Sequence, residues 1–175
     1  MFKYIDFKPI FFIFANIVFA HILSELNSEV APYIYFVVPA LFIVPSALLL
    51  NFLPMLFSVA FTAFFFESST PVRAGSTVAM WLFVAYIVHT IRHRFIVLDW
   101  FSLSALYILT NFVLLVLYFI FFPKQADSVG SYIVRTATDT LCSSALLMVV
   151  GKFCITIPIL LANLCGIELS VREEK

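Results

Sequence analysis

Apolar residues run through this chain in long blocks, and the polar positions gather at the block ends instead of alternating with them. The first block, about residues 9–23, is closed by the acidic stretch Ser24-Glu-Leu-Asn-Ser-Glu-Val. Residues 31–66 carry no charge at all. That run is about twice the roughly 20 residues a helix needs to cross hydrocarbon, so it must fold back. Pro45 and Pro54 place the hinge between Val44 and Pro54, because proline disfavours a continuous helix. A short polar turn, FESSTPVRAG (Phe66 to Gly75), separates that run from a fourth block ending at His89-Thr-Ile-Arg-His-Arg. A fifth block opens at Trp100 and stops at Pro123-Lys124, and a sixth follows the polar loop 125–136. The pattern predicts six helices, over about 9–23, 32–48, 50–66, 75–91, 100–122 and 137–164. The sixth is long enough to bend or tilt near Gly151 or Pro158.

Composition says which solvent these blocks meet. Of 175 residues, 63% are hydrophobic and 11% charged, with a mean hydropathy of +1.10. Soluble domains are about 45–50% apolar and about 25% charged. Too little polar surface remains to coat such a chain in water. The expectation is an all-α polytopic integral membrane protein, a single transmembrane domain over 1–175 with no soluble domain outside the spans. Helices fit because each closes its own backbone hydrogen bonds in lipid. The charged start and the apolar run 10–20 resemble a signal peptide, but are read as a retained first span because the rest is also embedded.

Six crossings put both termini on one side. With the termini cytoplasmic, Lys3, Lys8, Arg92, Arg94, Arg172 and Lys175 lie inside, and Arg73, Lys124 and Arg135 outside. That is the orientation the positive-inside bias favours, and it puts the FESSTPVRAG turn on the outer face. The formal net charge of +0 gives no footprint for nucleic acid. Cys142, Cys154 and Cys165 stand singly in apolar surroundings and read as small buried hydrophobes.

Few residues offer chemistry. Glu67 and Arg73 flank the polar turn, either as interfacial helix caps or as functional groups. Pro71 and Gly75 shape it. His89 and His93 share a helix face at i, i+4, but they lack a third ligand and have Arg92 and Arg94 beside them, so they read as interfacial. His21 and Glu25 form a similar pair near the opposite face. Lys152 is the costliest residue in the chain: an ammonium at mid-membrane costs about 2.5–3.5 kcal/mol. It pairs with a buried partner, reaches an interface or lines a polar cavity. Asp139, the acid of the same span, lies more than three turns away. Asn16, Asn111 and Asn163 are intramembrane polar groups able to bridge helices. No metalloprotease, serine-hydrolase or phosphate-loop motif occurs, and neither enzyme activity nor a cofactor or metal is expected.

Glu67, then a Ser/Thr-rich turn, then Gly75 eight positions on and Tyr86 eleven after that, resembles the MreD family of rod-shape-determining membrane proteins. Arg92-His93-Arg94 and the aromatic pair Trp100-Phe101 also fit, as do the length and the span count. The family's acid is usually aspartate, and glycines expected just before it are replaced here by Ala60 and Ala63. The resemblance implies a compact six-helix bundle similar to the S components of vitamin transporters, in the bacterial cytoplasmic membrane. It implies a non-catalytic scaffold acting with an MreC-like protein and, through it, an MreB filament, RodA and a penicillin-binding transpeptidase. Glu67, Pro71 and Gly75 would then fix the junction of spans three and four. The alternative is an S-component-like substrate-binding subunit of a vitamin or micronutrient transporter. Its docking signature on the first span is missing here, since Ala15 and Ala20 are five apart.

Overall fold

The computed structural model describes residues 8–30, 33–68, 75–92, 99–121 and 129–164. Among them are six helices: α1 (Lys8–Val30), α2 (Ala40–Leu49), α3 (Phe52–Ser68), α4 (Ser76–Ile91), α5 (Trp100–Phe121) and α6 (Val129–Leu164). The architecture is all-helical. Three helices, α1, α5 and α6, are long and apolar enough to cross a membrane, while α2, α3 and α4 are apolar but shorter.

The short α2 is the centre of the bundle. Residues 40–47 are buried, and α2 packs against α3, α4, α5 and α6. It is apolar all round, which is what a helix surrounded by other helices requires. Pro45 sits inside it. Ser46, the one polar side chain of α2, donates from Oγ to Phe42 O at 3.0 Å and shares a 3.2 Å hydroxyl contact with Ser58 of α3. Thr62 continues this buried polar line, donating to Ser58 O at 2.8 Å and accepting from Asn16 Nδ2 of α1 at 3.2 Å. Three helices are thereby tied through groups that would otherwise lie unpaired in an apolar medium.

Three boundaries differ from the sequence reading. The first span does not end at Leu23. The helix runs on through the acidic stretch to Val30, with Glu25 and Glu29 exposed and Asn27 turned inward. The sixth helix starts at Val129, eight residues before the expected 137. Threonine hydroxyls bonded to carbonyls one turn back (Thr138 to Val134, 3.0 Å; Thr140 to Thr136, 2.7 Å) let this polar stretch remain helical.

The largest difference concerns the second span, expected as a helix over 32–48. Residues 34–38 are extended, and helix begins only at Ala40. Ile34-Tyr-Phe-Val-Val is rich in β-branched and aromatic residues, and Pro39 pushes its predecessor out of the helical region. The expected hinge between Val44 and Pro54 does contain the reversal, at Leu50 and Asn51. Leu50 is extended (φ −101°, ψ 154°), and Pro54 falls in the first turn of α3, where its missing N–H costs nothing. The expected bounds of the other spans agree with α3, α4 and α5 to within about two residues.

Candidate functional site

The junction of α3 and α4 is built around Glu67. Its side chain is 7% exposed, and Oε1 accepts from the backbone N–H of Ser76 at 3.1 Å. That N–H belongs to the first turn of α4, whose leading amides have no partner within the helix and attract negative charge. Gly75 precedes it at φ 86°, ψ −11°, a left-handed conformation that L side chains resist, and its carbonyl accepts from Ala79 N at 3.0 Å. The acid and the glycine eight residues later thus meet in space: one supplies the cap and the other turns the chain to present the N–H. Pro71 and Arg73 lie outside the described residues.

Aromatic rings pack beneath this cap. Phe66 of α3 lies 5.0 Å from Phe42 of α2 and 5.3 Å from Trp81 of α4, and Phe42 stacks on Trp81 at 6.2 Å. Trp81 Nε1 donates to Tyr118 Oη of α5 at 3.1 Å, and Tyr118 is also hydrogen-bonded to Thr77. Side chains from α2, α3, α4 and α5 therefore converge here. Tyr86 does not join them. It is exposed, ten residues along α4 from Ser76, with its ring edge-on to Phe52 at 6.2 Å.

A second polar centre surrounds segment 34–38, and sequence reasoning located only part of it. Asn27 of α1 makes two bonds to Phe36: Nδ2 donates to Phe36 O at 3.1 Å, and Oδ1 accepts from Phe36 N at 2.9 Å. Tyr35 N donates to Asp139 Oδ1 at 3.0 Å, and Val37 N to Ser143 Oγ at 2.9 Å, both on α6. Asn111 of α5 donates from Nδ2 to Val37 O at 2.8 Å. Side chains of three helices thus do for this backbone what a helix ladder would have done internally. Asn111 therefore bridges elements as expected, though its partner is backbone. Asn27 and Ser143 were missed; the available signal was polar residues near a β-branched run ending in proline.

A groove of about 530 Å³ between α5 and α6 is lined by Ile108, Asn111, Thr140 and Ser144, with the exposed Leu109 and Phe112 at its edge. Among the described residues, Asn111 Oδ1 and the Tyr107 hydroxyl are buried without hydrogen-bond partners.

At the other end of the bundle, α4 closes the C-terminus of α2. Arg92 Nη1 donates to Leu50 O at 3.0 Å, and His89 Nδ1 lies 3.1 Å from Ala47 O, which takes it as a donor. His89 is thus a structural partner of α2, and no group of three metal-ligating side chains occurs among the described residues; His93 lies outside them. His21 and Glu25 are exposed. Cys154 is buried and Cys142 partly so, both as free thiols. Lys152 is exposed on the outer face of α6 and lines none of these sites.

Comparison with protein-family models, with curated proteins and with solved structures finds no match for this chain.

Proposed function

We propose that this chain is a non-catalytic scaffold of the MreD kind. It crosses the bacterial cytoplasmic membrane six times with both termini cytoplasmic. There it gathers an MreC-like protein and, through it, an MreB filament, RodA and a penicillin-binding transpeptidase for lateral wall synthesis. The observation that carries this reading is the α3–α4 junction, where Glu67 caps α4 at Ser76 and Gly75 adopts positive φ. The spacing on which the resemblance rests has a structural reason in this chain.

Six crossings are supported by the lengths. Segment 34–38 supplies about 16 Å of extended chain, and the ten residues of α2 supply about 15 Å more. Together they match a hydrocarbon core of about 30 Å. Non-helical backbone is tolerated at that depth when protein groups satisfy it, as Asn27, Asn111, Asp139 and Ser143 do. α3 and α4, with 17 and 16 residues, stand at the lower limit for a crossing.

Depleting the protein in its rod-shaped host is expected to give rounded cells, and an unchanged rod would reject the scaffold. Accessibility labelling is expected to find a cysteine at Gly75 reachable from the periplasm. Labelling from the cytosol alone would reject the orientation. Purified protein carrying a stoichiometric vitamin would instead favour the transporter-subunit alternative.

A further inference from the structure

Lys152 stands in the middle of an outward stripe on α6. Leu141, Ala145, Met148 and Val149 precede it on the exposed face, and Phe153, Ile157, Leu160 and Leu164 follow. Leu164 is 76% exposed and Leu141 72%. The twelve residues after Lys152 rise about 18 Å along the helix.

A lysine stem cannot carry its charge to headgroups past that much apolar surface. Were Lys152 itself at headgroup level, Phe153, Leu160 and Leu164 would project into water. α5 begins nearby, with Trp100 Nε1 donating to Met148 O at 3.0 Å, so this indole N–H is satisfied by the protein and not by a headgroup. Among the described residues no carboxylate lies within ion-pair distance of Lys152, and each acid is placed elsewhere. Glu67 caps α4, Asp99 bonds Ser102, Asp139 holds Tyr35 N, and Glu25 and Glu29 lie at the far end of α1. Ionisable groups within a membrane almost always pair or face a polar interior. Lys152 faces outward, so its partner must come from outside the bundle and from within the bilayer.

We propose that this face of α6 docks a transmembrane helix of a partner protein that carries an aspartate or glutamate at the depth of Lys152. Ala145 and Thr156, about one to two turns to either side on the same face, leave room for close approach. The inference rests on the scaffold reading and gives the chemistry of one of its partners.

The test uses the full chain in neutral phosphatidylcholine vesicles at pH 8, labelled for energy transfer to synthetic leucine-rich transmembrane helices. These carry a single central Glu, a single central Gln or neither. The Glu helix is expected to bind about tenfold more tightly than the Gln helix. The preference is expected to vanish in Lys152→Met, whose side chain suits lipid and leaves the fold intact. A Lys-bearing helix is expected to regain it against Lys152→Glu. Equal binding of Glu and Gln helices by the wild type overturns the proposal. So does a Lys152 effect seen only as thermal stabilisation by phosphatidylglycerol, which would assign the charge to a lipid headgroup. Transfer between two labelled copies that Lys152→Met abolishes would make the occupant a second copy, which also overturns it. None of these outcomes depends on cell shape, so failure here is distinguishable from failure of the scaffold reading.

Discussion

The ring of Tyr107 in α5 occupies the space that a β-carbon on Gly151 of α6 would need, leaving only 2.8 Å to Cδ2 and Cε2. Tyr107 is fully buried and cannot swing away. Gly151 is thus the close-approach point of the two helices, and α6 continues as helix through it. Gly151→Ala is expected to cost about 1–3 kcal/mol, the usual penalty of overpacking a tight interface. Thermal unfolding in detergent would read it as a lowered midpoint. Trimming the ring in Gly151→Ala/Tyr107→Leu is expected to recover part of the loss, and additive losses would show that the two sites do not touch.

Asn27 holds Phe36 by both backbone groups, imitating a strand neighbour with a single side chain. Asn27→Leu would leave a buried donor and a buried acceptor unpaired, at about 1–3 kcal/mol each. The expected outcome is faster amide exchange at Tyr35, Phe36 and Val37, with α4 and α5 amides unchanged. Uniform protection across the segment would mean that Asp139, Ser143 and Asn111 hold it unaided.

This segment shows where the sequence stopped being informative. Hydropathy is the same whether Ile34-Tyr-Phe-Val-Val is helical or extended, and in lipid either state suits apolar side chains. What decides is who satisfies the backbone. Asn111, Asp139 and Ser143 are separated from their partners by 74, 104 and 106 residues, and no local pattern announces such contacts. α4 and α5 were legible because local punctuation bounds them, Gly75 before one and Asp99-Trp100 before the other. Of the candidate site, Glu67 and Gly75 were legible because the loop between them is short. Tyr86 was not, because periodicity alone did not tell which face of α4 packs inward.

Asp99 caps α5 from outside the helix. Its Oδ2 accepts from Ser102 Oγ at 2.7 Å and from Ser102 N at 3.1 Å. The Ser102 hydroxyl, and next its backbone N–H, hold the Asp99 carboxyl below the usual carboxylate value. A depressed folded-state value contributes stability that is present above the unfolded pKa, about 4, and is lost as pH falls through the folded one. Wild type is therefore expected to exceed Asp99→Ala in melting temperature at neutral pH, with the gap closing as the solution is acidified below about pH 4. A gap that persists unchanged into that acid range would show that the carboxylate's charge plays no part in the cap.

Gly75 and Glu67 make separable contributions to one turn. No described atom lies within 4 Å of where a β-carbon on Gly75 would project, so size is not what the position forbids. The left-handed backbone is, at about 1–2 kcal/mol for an L residue. Gly75→Ala and Gly75→Leu are accordingly expected to lose similar stability, and Gly75→Asn less, because asparagine tolerates this region. At Glu67, substitution by Gln keeps an oxygen able to accept from Ser76 N, whereas Ala leaves that N–H without it, a loss of about 1–3 kcal/mol. Chemical denaturation in a mild detergent would give the order. If Gly75→Leu proved far worse than Gly75→Ala, a steric contact of the turn would have to replace backbone strain as the reason for glycine there.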